Sequence, residues 1–239
     1  MLNRARRASE NGLFIASGRN PCPNRRHRSS KGKVTMSNGS ASLIARAKAM
    51  ILQPKSEWQV VATEPDSAQG IFMRYVVPLA AIGPIAGFIG MQVFGIQLFG
   101  VSFKPSLMAG LTQAIVGYLL ALVSVWVITF IIDALAPSFG GTSDRTQAMK
   151  LAAYAGTAGY LGGIFGIVPA IAALGLLASL YGLYLLYLGA TPVMKVPQDR
   201  AVVFVLILIV AAIAAYFVIG LVTAAITGPM MTPPAVTVS

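Results

Sequence analysis

Charged residues divide most of the chain into four long uncharged runs, 75–103, 105–132, 151–194 and 201–239. A helix needs about 20 apolar residues to cross the hydrocarbon of a bilayer. The first two runs therefore predict one span each, at 76–95 and 107–132. The third is long enough for two. Pro169, just after the Gly-rich stretch GYLGGIFGIV, lacks the backbone donor that a continuous helix requires. The expectation is a tight hairpin of 149–167 and 170–190. The last run predicts a span at 201–226, and the prolines of TGPMMTPPAVTVS close it, leaving 229–239 as a disordered tail. The expected fold is all-α: a polytopic membrane helix bundle of five transmembrane spans within 75–228. No internal repeat is evident.

Ahead of the first span, 36–74 is expected to be an amphipathic, cytoplasmic segment. In SASLIARAKAMILQPKSEWQVV, Leu43, Ala47 and Met50, flanked by Ile44 and Ile51, recur at helical spacing, with Arg46 and Lys48 on other faces and Pro54 as the stop. Two placements are open for this short helix. It lies in the lipid interface, with Trp58 at headgroup depth, or it packs on the inner end of the bundle.

Composition agrees with a membrane protein. Hydrophobic residues make up 56% of the chain, charged ones 10%, and the mean hydropathy is +0.74. The net charge of +11 would suggest a nucleic-acid ligand, but nine of the 18 Lys and Arg precede residue 36, accompanied by one acid, Glu10. The remainder carries nine bases and six acids, a net of +3. Nucleic acid is therefore not an expected partner. Residues 1–35 read as a disordered basic leader, more consistent with a start assigned too early than with a mitochondrial transit peptide. Met36 is then the first residue, and the Lys-Gly-Lys codons just upstream would form a purine-rich run where a bacterial ribosome binds.

Cys22 and His27, the one cysteine and the one histidine, also fall in the leader. From Met36 onward no Cys/His metal site, disulfide or Cys/His nucleophile can be built. No cofactor and no metal are expected.

Lys and Arg in the short flanking loops set orientation. With the N-terminus inside, Arg46, Lys48, Lys55, Arg74, Arg145, Lys150, Lys195 and Arg200 share the cytoplasmic side, and Lys104 stands alone outside. The C-terminus is then periplasmic, in a bacterial inner membrane; in a eukaryotic cell the corresponding membrane is the endoplasmic reticulum or Golgi.

Within the spans the glycines are the most patterned feature. Gly83 with Gly87, Gly159 with Gly163, and Gly162 with Gly166 form GxxxG pairs, which let helix backbones approach closely. They predict packing within the monomer or in a homo-oligomer. Pro78 and Pro84 should kink the first span, as a packed bend or as a hinge. Tyr181, Tyr184 and Tyr187 line one side of the fourth span. Tyr187 lies at interface depth, whereas Tyr181 and Tyr184 lie deeper and predict hydrogen bonds to neighbouring helices or a lipid or partner contact. No charge lies mid-span, which argues against a proton path.

Two stretches resemble a known family. LIARAKAMILQPKSEWQVVATEP is similar to the opening segment of the bacterial branch of the Yip-one domain family (Ypt-interacting protein one): a short helix ends in Leu52-x-Pro54 and Trp58 follows. YGLYLLYLGATPVMKVPQDRA resembles the family's fourth-span ending, with tyrosines, Leu188-Gly189, and a Pro-containing charged loop. The resemblance covers about 40 to 230 and implies five spans with the N-terminus inside. Eukaryotic members bind Rab GTPases and one another in vesicle traffic, through membranes of the Golgi and endoplasmic reticulum. Their acidic, Gly-Pro-containing stretch before the first span has no counterpart here, so Rab binding is not carried over.

The functional expectation is a non-enzymatic membrane organiser or partner-binding protein acting from its cytoplasmic face. Arg46, Lys48, Pro54, Lys55, Trp58 and the three tyrosines are its candidate lipid or protein contacts. The alternative is a channel or transporter for an uncharged or lipid-like substrate.

Overall fold

A computed structural model describes residues 39–98 and 101–231, with side chains over 42–95 and 104–226. The leader at 1–35 and residues 232–239 of the expected tail lie outside the described residues, while 229–231, expected in that tail, continue the last helix.

Helix α1 runs Gly39–Leu52. Gln53 leaves helical geometry at φ −136°, and Pro54 opens α2, Pro54–Thr63. Proline suits this first-turn position because no N–H is needed there. The two helices fold back on each other as a hairpin joined by ion pairs. Helix α3, Ala68–Phe94, follows, with the Ser67 hydroxyl accepting from the Gly70 N–H at its start.

Both prolines deform α3. The turn Phe72–Val76 widens to π-helical geometry just before Pro78, and helicity lapses at Ala81, three residues before Pro84. A proline ring collides with the carbonyl four residues back and donates no hydrogen bond. At this bend the Tyr118 hydroxyl donates to the Val77 carbonyl at 2.9 Å. The far end of α3 leads into a short antiparallel hairpin, β1 (Ile96–Leu98) with β2 (Val101–Phe103), Ile96 opposite Phe103. The fold is all-α as expected, and this hairpin of two three-residue strands is a loop between helices. Ser106 then caps α4, Leu107–Leu135, which a 3-10 turn extends to Phe139.

Among the described residues four helices are long and apolar enough to cross a membrane: Ala68–Phe94, Leu107–Phe139, Pro169–Met194 and Gln198–Ile226. The segment expected to cross at 149–167 is not one continuous helix. It consists of α5 (Arg145–Ala155), α6 (Thr157–Gly162) and a 3-10 stretch, Gly163–Ile167. Closely spaced glycines have low helix propensity, and here they serve a close backbone approach instead: a Cβ on Gly163 would lie 2.7 Å from the Cα of Gly83. Val168 is extended, the 3-10 turn Pro169–Ile171 reverses the chain, and α7 (Ala173–Met194) returns. Contrary to expectation, Thr191-Pro192 does not end this helix. It continues to Met194 and stops where Lys195 adopts φ 56°. Helix α8, Gln198–Met231, completes the described chain.

The hydrophobic core is concentrated at the charged end. Met50, Trp58, Ile71, Ile132, Met149, Leu151, Leu185, Met194 and Phe204, drawn from α1, α2 and the helices crossing that end, are almost fully buried. Toward the other end Leu107, Leu176, Ile213 and Phe217 are exposed. In water such apolar exposure would be unfavourable; in hydrocarbon it carries no penalty. The molecule is a packed head on helices dressed for lipid.

Candidate functional site

A polar cluster lies inside this head. The Arg46 guanidinium on α1 donates to Glu57 on α2 at 2.7 Å and to Glu64 beyond it at 2.6 Å. It also lies over the Tyr154 ring, 5.9 Å from its centre, a cation–π distance. Burial works against the charge of Arg46, but Tyr154, Glu64 and Glu57 outweigh it, and its pKa is raised. Arg46 is thus the clasp of the α1–α2 hairpin and not an exposed contact for a partner.

α5 fastens the end of α2. The Lys150 ammonium donates to the Glu64 carbonyl at 2.7 Å and the Gln147 amide to the Ala62 carbonyl at 3.2 Å. The last carbonyls of a helix have no partner within it, and these side chains supply one. Lys150 is only 3% exposed, so it is a structural group rather than a free flanking charge. Asp144 caps α5 by accepting from the N–H groups of Thr146 and Gln147 at 2.8 and 3.1 Å.

Deeper in the head, the Tyr75 and Thr157 hydroxyls are 2.7 Å apart, and Thr157 donates to the Tyr154 carbonyl at 2.6 Å. Tyr75 is therefore the donor in the first bond. The Tyr154 ring packs against Tyr75 with centres 4.6 Å apart and planes tilted by 59°, and meets Trp58 edge-on at 6.5 Å.

Trp58 requires the main correction. It is 0% exposed, enclosed by Tyr154, Leu151 and Gly189. Of the two placements open for this segment, packing on the inner end of the bundle is the one seen: the Trp58 ring fills the seam between α2 and α7 and is not available to a partner. Pro54 turns the elbow of the hairpin, and Lys48 and Lys55 remain exposed. The Tyr181 hydroxyl donates to the Ile51 carbonyl at 2.7 Å. Tyr184 borders a shallow hollow with Leu52, Gln53, Pro54, Lys55 and Ser56. Tyr184 and Tyr187 are 44% and 40% exposed, whereas Tyr181 is half-buried.

The glycine pairs divide. Gly163 abuts Gly83, Gly166 approaches Gly87, and a Cβ on Gly162 would collide with Ala178 of α7. A Cβ on Gly159 would meet nothing within 4 Å, so its expected packing role is not seen. Sequence reasoning missed Gly90, where a Cβ would lie 2.6 Å from the Ile167 carbonyl oxygen. Its spacing from Gly83 and Gly87 along one helix face was the available signal. Among the described residues no group of three or more acidic, Cys or His side chains could hold a metal ion.

The two stretches that carry the family resemblance therefore meet in space, Trp58 against Gly189. A family model, the Yip1 domain, matches residues 48–221. The chain belongs to the Yip1 domain family. No curated protein and no solved structure matches it. The matched Yip1 region opens within α1 and ends within α8, so it contains the head residues after Arg46, three of the long apolar helices and most of the fourth. With those helices the Yip1 domain is a multi-pass membrane domain.

Proposed function

We propose that this Yip1 protein is a non-enzymatic, five-span organiser of the membrane, binding a protein partner through the outer surface of its charged end. The observation that carries this reading is the construction of the head. Its polar groups are spent on one another: Arg46 on Glu57 and Glu64, Lys150 on the α2 terminus, Tyr75 on Thr157. What the head offers outward is a rigid exterior bearing exposed cations, Arg74, Lys195 and Arg200 among them.

Support for the fifth crossing comes from the two ends of the hairpin. The Thr142 N–H donates to the Met194 carbonyl at 2.9 Å, so 142 and 194 share one side. If α7 crosses, 145–167 must cross as well. At 1.5 Å per α residue and about 2 Å per 3-10 residue it extends roughly 37 Å, against a hydrocarbon thickness of about 30 Å. The Lys and Arg count places the head in the cytoplasm, the N-terminus with it, and the C-terminus in the periplasm of a bacterial inner membrane.

The test combines reconstitution with co-purification from native membranes. A partner retained by the wild type and lost from a folded Arg74→Glu, Lys195→Glu, Arg200→Glu variant supports the reading. Passage of small uncharged solutes through vesicles holding the purified protein alone would overturn it in favour of a channel.

A further inference from the structure

An apolar groove runs between α1 and the spanning helices. One wall is a face of α1, Leu43, Ala47 and Ile51 with Ile44 and Lys48 beside them; the other is Leu79, Ile82 and Leu161. Its volume is about 390 Å³, it is open along one side, and no polar atom is exposed to it. Lys48 therefore lines it with its methylene stem, as long cationic side chains do when the ammonium reaches toward a polar phase.

The groove lies at the level of the spans. The hydroxyl of Tyr181 holds the end of α1 by the Ile51 carbonyl. Along α7, Tyr181 is roughly 20 Å below the helix end at Met194. Leu79 and Ile82 belong to α3, itself long and apolar enough to cross the membrane. With α3 and α7 crossing the membrane as proposed, a groove at that level faces lipid.

Charge selects the occupant. On the other face of α1 Arg46 is committed to Glu57 and Glu64. Lys48 is exposed and, among the described residues, forms no ion pair. The rim therefore presents one unmatched cation above a wholly apolar slot, the complement of a phosphate above an acyl chain.

We infer that this groove is a binding site for an anionic phospholipid, its acyl chain between α1 and α3 and its phosphate at Lys48. The site goes beyond the organiser reading and is independent of whether a protein partner exists.

The test uses the full chain in vesicles of phosphatidylglycerol and phosphatidylcholine, each lipid offered in turn with a photoactivatable diazirine on its acyl chain. Cross-linked peptides are located by mass spectrometry. With the phosphatidylglycerol probe, label concentrates on α1, Leu79–Ile82 and Leu161, above the level given by the phosphatidylcholine probe. Ile44→Trp fills the slot and removes that label while the melting temperature is retained. If it does not fold, Ile82→Phe from the opposite wall is read in the same way. Lys48→Gln keeps the chain in place but lowers the preference for the anionic lipid roughly fivefold, the weight of one basic residue at a membrane surface. Label spread evenly over Leu176 and Ile213, equal label from both headgroups, or label unchanged by a folded slot-filling variant would each overturn the proposal.

Discussion

The Trp58 ring occupies the place where Gly189 has no side chain. A Cβ at position 189 would lie 2.7 Å from Cζ2 of Trp58 and 2.6 Å from Cδ1 of Leu151. α2 can lie against α7 because one contributes a large flat ring and the other contributes nothing. Trp58 ties the N-terminal hairpin to the membrane helices, although it lies outside every one of them.

This pairing predicts a non-additive mutant cycle. Trp58→Ala should lower stability by about 3–5 kcal/mol, since a fully buried aromatic leaves a cavity. Gly189→Leu should also destabilise the fold, because the ring and Leu151 occupy the space. The double variant, in which the new leucine enters the vacated hollow, should be more stable than the sum of the single losses requires. Thermal melting in detergent measures all three, and strict additivity would show that the two residues do not share one space.

Glycines should separate by position rather than by motif. Gly163→Ala places a methyl against the Gly83 backbone, which cannot rotate away, and should cost about 1–3 kcal/mol. Gly159→Ala enters open space and should be neutral or stabilising by up to about 1 kcal/mol, the difference in helix propensity. Equal melting temperatures for the two variants would contradict the close contact at Gly163.

That contrast also marks how far the sequence could be read. Long uncharged runs located the four continuous spans, and Pro169 marked the reversal, because composition and a missing donor are local properties. The broken path through Gly156 and Gly163 was not legible. A count of apolar residues carries no information on helix continuity, and Gly163 answers to Gly83, distant in sequence. Trp58 stayed open between the lipid interface and the bundle for the same reason: the hollow that receives it is made by Gly189 and Leu151, distant in sequence. Lys150 counted correctly as a charge at one end of the bundle, but its burial depends on the Glu64 carbonyl, which no side-chain pattern reveals.

The α1–α2 clasp should depend on Arg46 and not on Lys48. Arg46→Met leaves Glu57, which is largely buried, without its counter-charge and should cost about 1–3 kcal/mol. Lys48→Met removes an exposed cation with no ion pair among the described residues and should change stability by less than about 0.5 kcal/mol. Protease cleavage near the hairpin, followed over time, should accelerate for the first variant alone. Equal cleavage rates would show that the ion pairs do not hold α1 in place.

The broken segment finally decides the topology, and cysteine labelling can read it in a Cys22→Ser background. Single cysteines replace Ser143, Gln198, Ser102 and Val168, and an impermeant maleimide is applied to intact cells. Residues 143 and 198 flank the head, which the Thr142–Met194 hydrogen bond holds together, and both should be shielded. Ser102 follows α3 in the far hairpin and should label. Val168 is the discriminating position. It sits between the 3-10 stretch and the Pro169 turn, so a complete fifth crossing exposes it on the same side as residue 102. If it is shielded while 102 labels, the 145–194 hairpin dips into the bilayer and returns without crossing. If 143 and 198 label and 102 does not, the head faces outward and the positive-inside assignment is wrong, with the packing of the head unaffected.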